Sequence, residues 1–329
     1  MFSVRQELLL VLLAEFVQAY RGFRLVISGV EIALWDIIGK ACSQPVYRLL
    51  GGCYHRQIPS YANGWYGGAR QPQDYAKLAK EAVARGYRAL KFDPFGTAWK
   101  DLQPEEIEQA VALVAAIREE VGPRIGLMIE YHGRLSVGAA VDMIRRLERY
   151  EPTWSEEPVA PESIDLLAEV KRRVSGPIAA GERLYTIPDF YRLTMLRAAD
   201  VVQMDIAHCG GLLVSKKIAA MCAAQDIRVA PHCSVGPVAL VAALHFDATT
   251  PNFMIQEGFG EFDVPWRNDL VRGWNPISNG EFVLTDEPGL GIDIDENVIA
   301  DHPYVKNAFP SLWDKEWLTD FKQDERKSS

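Results

Sequence analysis

Three short runs decide how this chain folds: IGLMIE (125–130), PTWSEEP (152–158) and GPIAAGE (176–182). Each is an apolar, strand-like segment that ends on an acid. The acids Glu130, Glu156 and Glu182 follow one another at a constant interval of 26 residues. That interval suits one strand, one helix and the turns between them. Repeated units of this kind bring successive strand ends to one rim of a parallel barrel. Three carboxylates meeting there would form an all-oxygen site for a hard divalent cation.

Outward from these runs the alternation continues. Candidate strands are IPSYANG, YRALKFD, ADVVQMD, RVAPH and FMIQE. Between them lie DYAKLAKEAVARG, EEIEQAVALVAAIREEVG, AAVDMIRRLERY and LLVSKKIAAMCAAQ, whose apolar residues recur at three and four positions. Gly86 and Gly122 follow two of these stretches, as helix stops do. Eight strands alternating with helices predict a closed α/β barrel, with an open doubly wound sheet as the alternative. No glycine-rich dinucleotide or phosphate fingerprint follows any strand. Three parts are expected: a helical region over 1–57, the barrel over 58–264, and an irregular segment over 265–329.

Composition narrows the function. The net charge of −9 and the lack of a Lys/Arg-rich run argue against nucleic acid and anionic membranes as partners. LLLVLLA (8–14) is too short to span a bilayer and is flanked by Glu7 and Glu15, so it reads as an amphipathic helix. Cys42, Cys53, Cys209, Cys222 and Cys233 are odd in number and never spaced C-x-x-C. They are expected as buried thiols of a cytoplasmic protein.

The strand ends form a polar ring. Lys91 and Asp93 close the second strand, Glu130 the third with His132 two residues on, and Glu156 and Glu157 the fourth. Glu182, Asp205, His232 and Glu257 close the fifth to eighth. Singly, a strand-end acid is most often a helix cap. Jointly, at one end of successive strands, they suggest a site. Three acids without a cation would repel one another, and a bound Mg²⁺ would remove that cost. Neither histidine has metalloprotease spacing, which disfavours zinc. His232 facing Asp205 would be oriented for proton abstraction beside a metal-bound carboxylate.

These residues resemble the enolase superfamily in its mandelate racemase branch. The resemblance runs through EIALWDIIGKACSQPVYRLLGG, ALKFDPFG, LMIEYHGRL, WSEEPV, IAAGERL, VVQMDIAHCGG, APHCSVGP, NFMIQE and PGLGIDIDE. It implies a (β/α)7β barrel with Mg²⁺ held by Glu130, Glu156 and Glu182, and with Glu157 behind them. It implies His232 as general base, Asp205 as its partner, Glu257 against the substrate carboxylate or ene-diolate, and Lys91 as added positive charge. Racemising members usually carry K-x-K where this chain has Lys91-Phe92-Asp93. Members resembling galactonate and gluconate dehydratases carry a histidine at the place of His132, which protonates departing hydroxide. The implied function is therefore a sugar-acid dehydratase, a hydro-lyase forming 2-keto-3-deoxy acids. Epimerisation, cycloisomerisation or a silent binding subunit are the alternatives. For His132 the alternative is a hydrogen bond to Glu157 or Arg134. The substrate would be a small sugar acid, and a homo-oligomer is the family habit. Ser28-Gly29-Val30 lies near the start, so the capping region is expected to be truncated.

Overall fold

Eight parallel strands pair in chain order around a central axis. The computed structural model describes residues 23–234, 236–260, 262, 265–273 and 277–303. LLLVLLA (8–14) and the closing DERKSS (324–329) lie outside the described residues. The strands are β1 Gln57–Ala62, β2 Ala89–Phe92, β3 Gly126–Glu130, β4 Trp154–Glu156, β5 Ile178–Ala180, β6 Val201–Val202, β7 Arg228–Val229 and β8 Gln256–Gly258. Neighbours from β1 to β7 are parallel, and β8 pairs with β1 through Tyr61 and Glu257. Closure between β7 and β8 is made by Val229, which donates to Asn252 O at 3.0 Å and accepts from Met254 N at 2.8 Å.

Helices fill the crossovers. They are α3 Pro72–Ala84, α4 Pro104–Val121, α5 Val137–Leu147, α6 Ile164–Arg173, α7 Ile187–Met195, the short α8 Ile206–Cys209 with α9 Leu212–Ala223, and α10 Pro237–Ala248. Seven strands are thus each followed by helix. After β8 the described chain enters a 3₁₀ turn, Pro265–Leu270. Proline in the first turn starts α3, α4, α7 and α10, where its missing N–H costs nothing. Ser136 and Thr186 cap α5 and α7 through their hydroxyls.

The barrel interior follows from the two-residue period of a strand. One inward layer is Tyr61, Ala89, Met128, Trp154, Ala179, Val201 and Ala230. Two residues further along the same strands lie Asn63, Lys91, Glu130, Glu156, Gly181, Gln203 and His232. An apolar floor therefore sits directly beneath the polar ring. The intervening residues, such as Leu90, Phe92, Leu127, Ile129 and Val202, face outward and join the larger core against the helices.

The flanks close on each other. Helix α1, described over 23–41, and α2 (Val46–Leu49) precede the barrel. Strands β9 (Val271–Arg272), β10 (Glu281–Val283) and β11 (Asp293–Ile294) and helix α11 (Glu296–Asp301) follow it. β10 runs antiparallel to the first half of β1. Gly289 exchanges backbone hydrogen bonds with Gln44 and Val46. It passes so close to Gly39 that a Cβ on Gly39 would lie 2.6 Å from its Cα, so this crossing needs glycine.

The cysteines depart from expectation in part. All five are free thiols, but only Cys209, Cys222 and Cys233 are buried; Cys42 and Cys53 lie exposed, at the ends of short turns beside α1 and α2. No helix among the described residues is long and apolar enough to cross a membrane.

Candidate active site

The ring closes where the strands end. Glu130 and Glu156 are register partners on β3 and β4. Glu182 lies just beyond β5, after Gly181, whose φ of 139° turns the chain and whose missing side chain leaves room for the Gln203 backbone. One carboxylate oxygen from each of Glu130, Glu156 and Glu182 lies within 4.8 Å of the others. Burial, followed by the charges of Glu156 and Glu182, pushes the Glu130 carboxyl well above the usual range. Its Oε2 is buried and makes no hydrogen bond. An oxygen of that kind, among two further carboxylates, fits a divalent cation: the ion would take the orphaned lone pair and cancel the repulsion.

Lys91 enters this cluster from β2. Its Nζ is 2.8 Å from Glu156 Oε1, 2.9 Å from Glu257 Oε1 and 3.7 Å from Glu130 Oε2. Burial works against the Glu156 carboxylate, but Lys91 and a hydrogen bond with Glu130 together hold the acid below its ordinary value. The positive charge expected of Lys91 thus lies among these carboxylates. Trp154 Nε1 donates to the other oxygen, Glu156 Oε2, at 2.9 Å. Glu257 also accepts from Asn63 Nδ2 and from the Cys233 N–H, each at 2.8 Å.

Two histidines flank the acids, each carried by an aspartate. His232 Nδ1 is 2.7 Å from Asp205 Oδ2, and Asp205 Oδ1 accepts the Ala207 N–H at 2.7 Å. With Nδ1 engaged, Nε2 is left facing Glu182 Oε2 at 3.5 Å and Glu257 Oε2 at 3.8 Å. Burial would lower the His232 pKa, but Glu182, Glu257 and Asp205 together raise it to about 10. Opposite, His132 Nδ1 is 2.6 Å from Asp93 Oδ2, and the His132 N–H donates to Glu130 Oε1 at 2.5 Å.

Every strand-end residue picked from the sequence is therefore found around one mouth, with Glu157 set aside. Glu157 is buried behind the trio against Arg183, which donates to it through Nε at 2.5 Å. Trp65 turns inward and donates to Lys91 O at 2.9 Å, so it braces β2. Tyr185 stacks on His208, with ring centroids 6.2 Å apart. Sequence reasoning missed His208, which lies 3.5 Å from Asp205 Oδ2, and the Arg183 and Arg134 clamps. Asn63, expected near the mouth along with Trp65 and Tyr185, follows the inward Tyr61 on β1 and reaches Glu257.

Comparisons with known proteins agree with this architecture. Residues 74–298 match the family described as enolase C-terminal domain-like, and residues 5–51 match the mandelate racemase/muconate lactonizing enzyme N-terminal domain. A D-gluconate/D-galactonate dehydratase of Picrophilus torridus is 41% identical over 273 residues, covering 83% of this chain and 70% of the relative. A D-gluconate dehydratase of Thermoproteus tenax is 36% identical, covering 89% of this chain and 59% of the relative. The crystal structure of a mandelate racemase/muconate lactonizing enzyme from Jannaschia sp. CCS1 superimposes with a TM-score of 0.80 at 33% identity, covering 86% of this chain and 75% of that one.

Proposed function

The chain belongs to the enolase superfamily, in its mandelate racemase/muconate lactonizing enzyme branch, and from that premise we propose that it is a divalent-metal-dependent dehydratase of aldonate-type sugar acids. The observation that carries the reading is the pair of histidines, His232 on Asp205 and His132 on Asp93, flanking one carboxylate trio. A β-elimination of water needs a base for one proton and an acid for the departing hydroxide. The names of the relatives, gluconate and galactonate dehydratases, support the substrate class.

Glu130, Glu156 and Glu182 would hold the cation, Mg²⁺ in this reading. When bound, it supplies Lewis acidity toward the substrate carboxylate and the charge that builds there. Asp205 keeps the proton of His232 on Nδ1, so Nε2 is the base that accepts the proton α to the carboxylate. The electrons of that C–H bond form a carbon–carbon double bond as the β C–O bond breaks. His132 gives a proton to the leaving hydroxide, which departs as water. The resulting enol takes a proton at the β carbon, releases the one on its α-hydroxyl, and becomes the 2-keto-3-deoxy acid. Lys91 adds positive charge near the developing negative charge. Glu257 accepts from Lys91, Asn63 and Cys233, so it donates to substrate only after gaining a proton.

The test is incubation with D-gluconate and D-galactonate plus Mg²⁺, followed by assay for 2-keto acid. Product from at least one is expected; none from a panel of aldonates overturns the reading. Deuterium exchange at the α carbon without keto acid would instead indicate epimerisation. His132→Asn is expected to spare exchange and block elimination, and equal loss of both would remove His132 from the acid role.

A further inference from the structure

Asp93 occupies the place where a second lysine would make the site two-based, and its surroundings give it another task. It is buried at the end of β2, and its carboxylate is taken up on every side. Oδ1 accepts the Phe95 N–H at 2.9 Å and Arg134 Nη2 at 2.6 Å. Oδ2 meets both the same guanidinium and His132 Nδ1. Arg134 is itself buried; it donates through Nε to Tyr131 O at 3.1 Å and through Nη1 to Gly96 O. The β2 and β3 ends are thereby locked together through one guanidinium. A carboxylate enclosed this way cannot swing out to take a substrate proton without parting the buried Arg134 guanidinium from the carboxylate that balances its charge.

We propose that Asp93, clamped by Arg134, is the positioning residue for His132: it fixes the ring with Nδ1–H toward itself and so leaves Nε2 as the nitrogen that exchanges a proton with the substrate. This deepens the reading above and rests on it for the identity of the leaving group. Two features of the geometry carry it. First, an acid that accepts from Arg134 can only accept from the imidazole, which sets the tautomer. Second, the backbone of His132 is held in the left-handed region at φ 49° while its N–H donates to Glu130, so ring and metal ligand are anchored to the same turn. The same design recurs across the mouth with Asp205 and His232, but Asp205 is held by a backbone N–H where Asp93 is held by an arginine. Substituting the carboxylate by an amide reverses the bond: Arg134 keeps the amide oxygen, and the NH₂ group faces Nδ1 and drives the proton to Nε2.

The proposal is tested on the full-length chain with Mg²⁺ present. Ring-¹⁵N correlation spectra at alkaline pH, with His132 assigned by comparison with His132→Asn, are expected to show the proton on Nδ1. In Asp93→Asn it is expected on Nε2. The proton on Nε2 in the unsubstituted chain, or an unchanged tautomer in the variant, overturns the proposal whether or not an aldonate has been found to react. With a reactive aldonate, Asp93→Asn should lower keto-acid formation about 100-fold while α-deuterium exchange changes less than about threefold. Parallel loss of both would reduce Asp93 to a structural role. The double variant Asp93→Asn/His132→Asn should eliminate no more slowly than His132→Asn alone. A further tenfold fall would mean that Asp93 acts independently of His132. Should Asp93→Asn fold poorly, the spectrum of the unsubstituted chain still decides, since a proton found on Nε2 there overturns the proposal. Absence of any keto acid, with the tautomer as expected, counts against the dehydratase reading and leaves the positioning role standing.

Discussion

The Lys91 ammonium lies 2.8 Å from the Glu156 carboxylate, and both side chains are sealed from solvent. It is the cation that lets Glu130, Glu156 and Glu257 share so small a space. Removing one partner of a buried charge cluster leaves the rest uncompensated, at a cost of about 3–5 kcal/mol. Lys91→Met is therefore expected to lower the unfolding free energy of the metal-free protein by that much, read as a fall in its urea midpoint, with Mg²⁺ recovering part of it. An unchanged midpoint would mean that Lys91 does not neutralise the cluster.

Divalent cations are expected to raise the thermal midpoint. A ligand that binds only the folded chain stabilises it by about 2.7 kcal/mol at a hundred times its dissociation constant. Glu130→Gln removes a carboxylate that burial and its acidic neighbours push well above the usual range. In metal-free buffer this variant should melt no lower than the parent chain, while its response to Mg²⁺ should nearly vanish. Scanning fluorimetry over a Mg²⁺ series checks both; an undiminished shift would move the ion elsewhere.

The base at the mouth should be indispensable to both partial reactions. His232→Asn is expected to cut α-deuterium exchange and keto-acid formation alike, by about 10²–10⁴-fold each. Survival of exchange in this variant, followed by proton NMR in D₂O, would assign the abstraction to another residue.

Acid sensitivity should arise far from the mouth, at His245. Its Nδ1 accepts the Tyr47 N–H at 3.1 Å, so Nε2 carries the proton and meets Leu290 O at 3.1 Å. Burial lowers its pKa from 6.5 to about 4, against a smaller opposing effect of the Leu290 carbonyl. Above pH 6.5 both folded and unfolded states hold it neutral and nothing is lost. As pH falls from there toward 4, the unfolded chain takes up a proton that the folded one refuses. Stability should decline by about 1.4 kcal/mol per pH unit, roughly 3 kcal/mol in all. His245→Gln offers the same acceptor and donor without titrating. Denaturation midpoints between pH 7 and 4 should fall less steeply for it, and identical slopes would exclude His245 as the cause.

What the sequence by itself determined was the repeat and the placement of chemistry at its ends. Alternating periodicities of two and near 3.6 identify strands and helices, and chain-order pairing then carries Glu130, Glu156, Glu182, Asp205, His232 and Glu257 to one rim. That inference is local, because each residue's level in the barrel follows from its distance along its own strand. Beyond the Asp205–His232 pair, the tertiary structure alone decided which side chains meet. Asp93 meets His132 and Arg134, 39 and 41 residues away, and Lys91 reaches Glu156 and Glu257, 65 and 166 residues further along the chain. The exposure of Cys42 and Cys53 likewise depends on how the flanks fold onto the barrel. Partner choice among buried charges depends on distances set by barrel closure and on which groups water can still reach, and neither quantity is written in the spacing of residues along a chain.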